Sequence, residues 1–245
     1  MTRPFVLLAT QRTGSTVVWQ TLDRHPAVYA RGEMFLKDLA HPESFASWQA
    51  RWTRRLLARL MPRRAVNAYL DGFYAKRAGV RATGFKLMYS QARPEIWSWL
   101  LAHRVEVLHL VRRNALKILV SKAAAEATGR RHLRPGQNHE AQSVVLGVEG
   151  LVAALDRIAA SVEEHRHRIA ELRHRELHYE ELLEHPQAFF DTAFEFLGVD
   201  RQPVELSLRK LTADSLGDAL ANYDEVAAAL AGTRHEALLT PTPEG

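Results

Sequence analysis

The sequence contains no cysteine. Disulfide staples, thiolate metal sites and cysteine nucleophiles are therefore excluded, and any chemistry falls to hydroxyls, carboxylates, imidazoles and cations. Long hydrophobic runs are missing too. The apolar stretch 4–9 is too short for a signal h-region or a bilayer span, and no other segment reaches such a length. The expectation is a soluble, cytoplasmic protein. There is no Pro/Gly/Ser-rich linker, internal repeat or low-complexity tract, so residues 1–245 are expected to form one domain with a core that needs no staple. Neither sign of charge dominates. Lys and Arg number 33 against 28 Asp and Glu, a net +5 that favours an anionic ligand. The basic residues are scattered rather than striped, which weighs against nucleic acid.

What is present is an alternation of short apolar runs with helical patterns. Phe5-Val6-Leu7-Leu8-Ala9 reads as a buried strand, followed by a helix that uses Val17, Val18, Thr21 and Leu22 and stops near His25-Pro26. Val28-Tyr29-Ala30, 82–87, 105–111 and 176–179 read as further strands. Helical patterns cover 94–103, 115–128, 141–172 and 180–197. Residues 44–64 read as one basic amphipathic helix, with Trp48, Trp52, Leu56 and Leu60 at i+4 spacing, expected to pack on the core. A peripheral membrane contact by this helix, and a homodimer through the apolar face of 151–172, are also compatible with the pattern. Strand–helix alternation predicts an α/β, P-loop-like three-layer fold, with a central parallel sheet flanked by helices. Ligands of such sheets bind beyond the carboxyl ends of the strands.

The first strand runs into Thr10-Gln11-Arg12-Thr13-Gly14-Ser15-Thr16 and then a helix. A turn of this kind points backbone N–H groups and the positive helix end at an anion. Against G-x-x-x-x-G-K-[ST], Ala9 replaces the first glycine and Ser15 replaces the lysine. The strand 105–111 ends in Arg112-Arg113, with no carboxylate to hold magnesium. Both departures argue against ATP or GTP hydrolysis and leave an anion site served by Arg12, hydroxyls and amides, with no metal. A second candidate follows that later strand. Arg113 offers a planar fork for phosphate, and Ser121, two helical turns on, a hydroxyl.

The two segments together resemble the sulfotransferases that use 3′-phosphoadenosine 5′-phosphosulfate (PAPS). Gln11–Thr16 is similar to the family's strand–turn–helix motif, and Arg113 to Ser121 matches its R-N/D-x6-S spacing. The resemblance implies that Arg12, Thr13, Gly14, Ser15 and Thr16 hold the 5′-phosphosulfate, and Arg113 and Ser121 the 3′-phosphate. A third match, Tyr179-Glu180-Glu181-Leu182 with Pro186 and Phe196-Leu197-Gly198, implies that Tyr179 lies by the adenine. Residues 222–226 and the segment Arg31-Gly32-Glu33-Met34-Phe35 look like the bacterial carbohydrate sulfotransferases of the trehalose and nodulation-factor kind.

Animal cytosolic members carry their basic histidine two residues after a strand lysine. Here Lys86 is kept, but Met88 stands at the histidine position. The resemblance to the bacterial group implies Glu33, in a loop after the second strand, as general base, with Lys86 and Arg12 offsetting charge on the sulfuryl and leaving oxygens. The acceptor is expected to be a small molecule or glycolipid hydroxyl, chosen by the stretches 34–64 and 129–140. A P-loop nucleotide kinase or NTPase, and a non-catalytic nucleotide-binding protein, remain the competing readings. His165, His167 and His174 do not share a face with a carboxylate and are read as a solvated helix rather than a metal site.

Overall fold

The computed structural model describes residues 2–36, 41–127, 143–206 and 215–240. The chain packs as two compact units: Met1–Val111 with His165–Leu206, and Arg112–Glu164 with Ser207–Gly245.

The first unit is built on five parallel strands: β1 (Arg3–Ala9), β2 (Val28–Glu33), β3 (Ala82–Met88), β4 (Glu106–Val111) and β5 (His174–His178), in the order β2-β3-β1-β4-β5. The helices are α1 (Ser15–Asp23), α2 (Phe45–Trp48), α3 (Trp52–Leu60), α4 (Pro62–Phe73) and α5 (Pro94–Ala102), followed later in the chain by α6 (Ala115–Ala127) and α7 (Leu151–Ile169), then α8 (Tyr179–Glu184) and α9 (Pro186–Leu197). This is the α/β, parallel-sheet architecture that the strand–helix alternation predicts. Right-handed crossovers put helices on both faces, because the chain moves one way from β1 to β2 and the other way from β2 to β3 and from β3 to β4. Val6, Leu8, Phe85, Leu87 and Val107 face α4 and α5, with Ile169 and Leu172 completing that core. Alternate residues face α1. Strands buried on both sides read as continuous apolar runs, which explains Phe5–Ala9.

Several element boundaries differ from the sequence expectation. The stretch 44–64 is three helices rather than one, broken at Gln49–Arg51 and again at Met61, just before Pro62. Proline at the first helical position cannot continue the preceding helix's hydrogen bonds. The same reason splits 180–197 into α8 and α9 at Pro186. Of the helix expected over 141–172, the described part before Leu151 is not helical; the helix starts there, after Gly147 and after Gly150, whose φ is 68°. Nor is α3 packed as expected. None of its residues is buried, and Trp52 is 76% exposed.

The second unit holds α6, the part of α7 up to Glu164, α10 (Leu216–Ala219) and α11 (Tyr223–Leu230). Leu116, Val120, Leu151, Leu155, Leu216, Val226 and Leu230 form its core. Val144 pairs with Leu220, and the Asn222 side chain clasps both the N–H and the C=O of Leu146 at 3.0 Å. The motif residue Asn222 thus holds two stretches of backbone together. Residues 129–140, the expected acceptor lid, lie outside the described residues. No helix among the described residues is long and apolar enough to cross a membrane.

Gly84 of β3 has no room for a side chain. A methyl group there would sit 2.5 Å from the Phe5 carbonyl oxygen and 2.6 Å from the Phe5 ring, while the Tyr74 hydroxyl donates to that same carbonyl at 2.8 Å. Backbone cannot yield as a side chain can. Gly84→Ala is expected to destabilise the fold by about 1–3 kcal/mol, read as a lower urea midpoint with an unchanged m-value.

Candidate active site

β1 is the third strand of five, so its carboxyl end opens in the middle of the sheet, and the turn Thr10–Gly14 stands there. Two residues of this turn take left-handed backbone: Gly14 at φ 75° and, against its side chain's preference, Arg12 at φ 64°. Thr13, fully buried, pins the turn by donating to the Thr10 carbonyl at 2.9 Å. The Gly14 carbonyl accepts from Val17 and Val18, which starts α1. The amides of Ser15 and Thr16, which precede those bonds, lie at the helix's positive end. Burial lowers the pKa of Arg12, and the Tyr179 phenol acts in the opposite sense; far above neutral pH, the guanidinium stays charged. The ring of Tyr179, first residue of α8, packs against Gly14, where a methyl group would come within 2.7 Å of it.

Lys86 and Glu33 meet beside this turn. Lys86 Nζ lies 2.9 Å from Glu33 Oε1 and donates to Thr16 Oγ1 at 3.3 Å. Gln91 Nε2 donates to Glu33 Oε2 at 2.7 Å. The cation absent from position 15 is therefore brought to the next residue, Thr16, from β3. The Lys86 side chain is 6% exposed and that of Glu33 27%, so the pair is largely desolvated, with the carboxylate on its open side. Glu33 is not in a loop, as the sequence suggests, but is the last residue of β2. It reaches Lys86 because of a register shift: Arg31 pairs with Phe85, yet Glu33 pairs with Lys86. One residue, Gly32, is left over. Without this bulge Glu33 would stand opposite Leu87 and point through the other face of the sheet. Gly32 packs under Trp19, where a methyl would lie 3.4 Å from the indole.

Arg113 and Ser121 fall in the second unit. Arg113 is exposed, two residues beyond β4, and Ser121 is buried in α6. Asn114, next to Arg113, is the side chain that starts α6: its Oδ1 accepts from Lys117 N at 3.0 Å, and its Nδ2 donates to the Leu238 carbonyl.

Sequence reasoning missed a polar chain on the opposite face of the sheet. His109 sits in the apolar run of β4, completely buried. Its Nδ1 lies 3.2 Å from Glu176 Oε2 on β5, and its Nε2 2.5 Å from the Tyr89 hydroxyl. A carboxylate only accepts, so Nδ1–H donates to Glu176 and Nε2 accepts from Tyr89. Arg166 closes the chain with a two-pronged contact to Glu176, at 2.8 and 2.6 Å. His165 is not solvated, as expected from its charged neighbours, but buried and stacked on Tyr89 at 3.8 Å. The chain anchors the 3-10 turn Tyr89–Gln91, whose far end presents Gln91 to Glu33. The only signal in the sequence was a histidine interrupting an apolar strand.

Burial pushes the His109 pKa down to about 4 from the ordinary 6.5, against the pull of Glu176, with Arg166 and His165 adding to the shift. Between those two values the unfolded chain binds the proton and the folded protein does not. Stability from this group is therefore whole above about pH 6.5 and falls as pH drops toward 4. The Arg166 contact holds the Glu176 carboxyl below its usual range, so its contribution is also lost at the acid end. Urea unfolding at pH 7 and pH 5 should show the wild type losing stability on acidification, and His109→Gln losing less.

The profile of the family described as "Sulfotransferase family" matches residues 4–203. No curated protein sequence matches the chain. Among solved structures, the chain is similar to a sulfotransferase from Alicyclobacillus acidocaldarius, with a TM-score of 0.53 at 19% identity over 98% of this chain and 96% of that one. It is also similar to the sulfotransferase domain of the curacin biosynthetic pathway, with a TM-score of 0.53 at 14% identity over 100% of this chain and 93% of that one. These likenesses concern the fold, and the family match spans both the Gly14 turn and the Glu33–Lys86 pair. The chain belongs to the sulfotransferase family.

Proposed function

We propose that this sulfotransferase moves a sulfuryl group from PAPS to a carbohydrate or glycolipid hydroxyl, with Glu33 as general base and no metal ion. The observation that carries the reading is the Glu33–Lys86–Thr16 cluster beside the Gly14 turn, which brings a carboxylate and a buried ammonium to the start of α1. The acceptor oxygen forms a bond to sulfur, the bond from sulfur to the 5′-phosphate oxygen breaks, and the hydroxyl proton passes to Glu33. Each carboxylate oxygen of Glu33 has a donor already, from Lys86 or Gln91, and keeps a second lone pair for the hydroxyl. Lys86 and Arg12 offset charge on the transferring and leaving oxygens. The amides and hydroxyls of Thr13 to Thr16 hold the 5′-phosphosulfate, and Tyr179 packs against the same turn. By their motif spacing, Arg113 and Ser121 take the 3′-phosphate. The carbohydrate acceptor rests on the likeness of the Glu33 segment to bacterial carbohydrate sulfotransferases, and a chain without cysteine suits a reducing cytoplasm.

Gln91 is a positioning residue in this scheme. It fixes the Glu33 carboxyl in orientation and is itself held by the anchored turn Tyr89–Gln91.

Glu33→Gln should lower kcat by about 100-fold or more, while calorimetry shows adenosine 3′,5′-bisphosphate bound as in the wild type. Full turnover in that variant removes Glu33 from the mechanism. Gln91→Ala should lower kcat by about tenfold with little change in KM for PAPS, and Gln91→Asn should not restore it, because the shorter side chain falls short of Glu33. Wild-type protein should bind adenosine 3′,5′-bisphosphate equally with magnesium or with a chelator, and Arg113→Ala should weaken binding by about tenfold or more. Binding that required magnesium would point to a nucleotide kinase instead.

A further inference from the structure

Helix α3 presents an apolar row to solvent. Trp52, Leu56 and Leu60 recur every fourth residue, and they are 76%, 50% and 67% exposed. The opposite side of the helix meets the protein: Leu57 and Ala58 pack against the core beneath, and the Arg54 guanidinium stands over the Trp48 ring at 4.7 Å. The outward row is therefore not the core-facing stripe of an amphipathic helix. It is a second apolar face, and a soluble protein rarely leaves such a face uncovered.

Its surroundings identify what covers it. Arg51, Arg55, Arg59, Arg63 and Arg64 are exposed around the row, and no Asp or Glu occurs between Glu43 and Asp71. Among the described residues none of these five arginines pairs with a carboxylate. An apolar row carrying tryptophan and bordered by arginines matches a surface that is apolar inside and negative at its rim, which is an anionic lipid bilayer: indole and leucines enter the headgroup boundary, and guanidinium groups meet the phosphates. A second copy of the chain fits poorly. A two-fold contact through this face would bring the two arginine rows together.

We propose that α3 docks the protein, side-on, to the surface of anionic membranes. The inference is independent of the catalytic reading, since none of its residues belongs to the Glu33 cluster or the Gly14 turn.

The experiment is co-sedimentation with vesicles of phosphatidylcholine alone, and of phosphatidylcholine containing about one third phosphatidylglycerol, at low and high salt. Wild-type protein should pellet with the anionic vesicles, be released by salt, and stay in solution with the neutral ones. Trp52→Ser combined with Leu56→Ser, and separately Arg55→Gln combined with Arg59→Gln, should each weaken partitioning by about tenfold or more, with circular dichroism unchanged. On binding, tryptophan fluorescence should shift to the blue in the wild type and not in Trp52→Phe, which still binds. Failure of folded wild-type protein to bind anionic vesicles overturns the proposal, as does binding that survives both pairs of substitutions. So does light scattering that shows a dimer dissociated by the serine pair, since the row would then be covered by a second copy.

Discussion

The constraint on which the candidate site depends is the pairing of β1, on both edges, with parallel strands. Its register sets Ala9 beside Met88 on one side and Leu110 on the other. All three strands therefore end at one level, and the turn after Ala9 emerges at the centre of the sheet's carboxyl edge. A turn at this place has a helix N-terminus pointing over it and side chains from neighbouring strands arriving from the side. Lys86 arrives in this way from β3. An NTPase loop carries its cation within the loop; here the cation beside the turn, Lys86, comes from the neighbouring strand.

A largely buried lysine is costly to desolvate unless it is paired, and it gains little net stability even then. The Glu33–Lys86 pair therefore adds little to the stability of the fold, in keeping with the catalytic role proposed for it. It is held by features that have no other evident purpose: a bulge at Gly32 that turns Glu33 to the Lys86 face, and Gln91 on the second carboxylate oxygen. The polar chain through Tyr89, His109, Glu176 and Arg166 works from the other face of the sheet. Buried polar chains are stable only when each member is satisfied, and satisfied ones specify a single geometry. This chain fixes the turn that carries Gln91, so a buried network on one face of the sheet bears on the orientation of the Glu33 carboxyl on the other.

The strand–turn–helix at Gly14 was legible because its signals are local: an apolar run, then a glycine and hydroxyl residues opening a helix. The parallel sheet followed from the alternation of such units. Lys86 and Glu33 were both singled out, though Glu33 was placed in a loop. The division of 44–64 into three helices was obscured because Trp48, Trp52, Leu56 and Leu60 keep one spacing across the break at Gln49–Arg51. That spacing predicts a continuous core-facing stripe, whereas Trp52, Leu56 and Leu60 face solvent and Leu57 and Ala58 face the core. His165 was misjudged for a related reason: its charged neighbours on α7 describe the helix's outer side, and nothing local reveals the Tyr89 ring that covers it.

The amino-acid sequence by itself determined the order of the elements, the strand–turn–helix at Gly14 and the choice of Glu33 and Lys86 as candidate residues, because these are written in short-range periodicity and in residue chemistry at fixed spacing. Only the tertiary structure decided on which face of the sheet Glu33 lies, that Gln91 and the His109 chain hold it, and that the apolar row of α3 points outward. Strand register and helix rotation are set by contacts between segments far apart in the chain. A shift of one residue in β2 turns a side chain through the sheet without altering any local pattern.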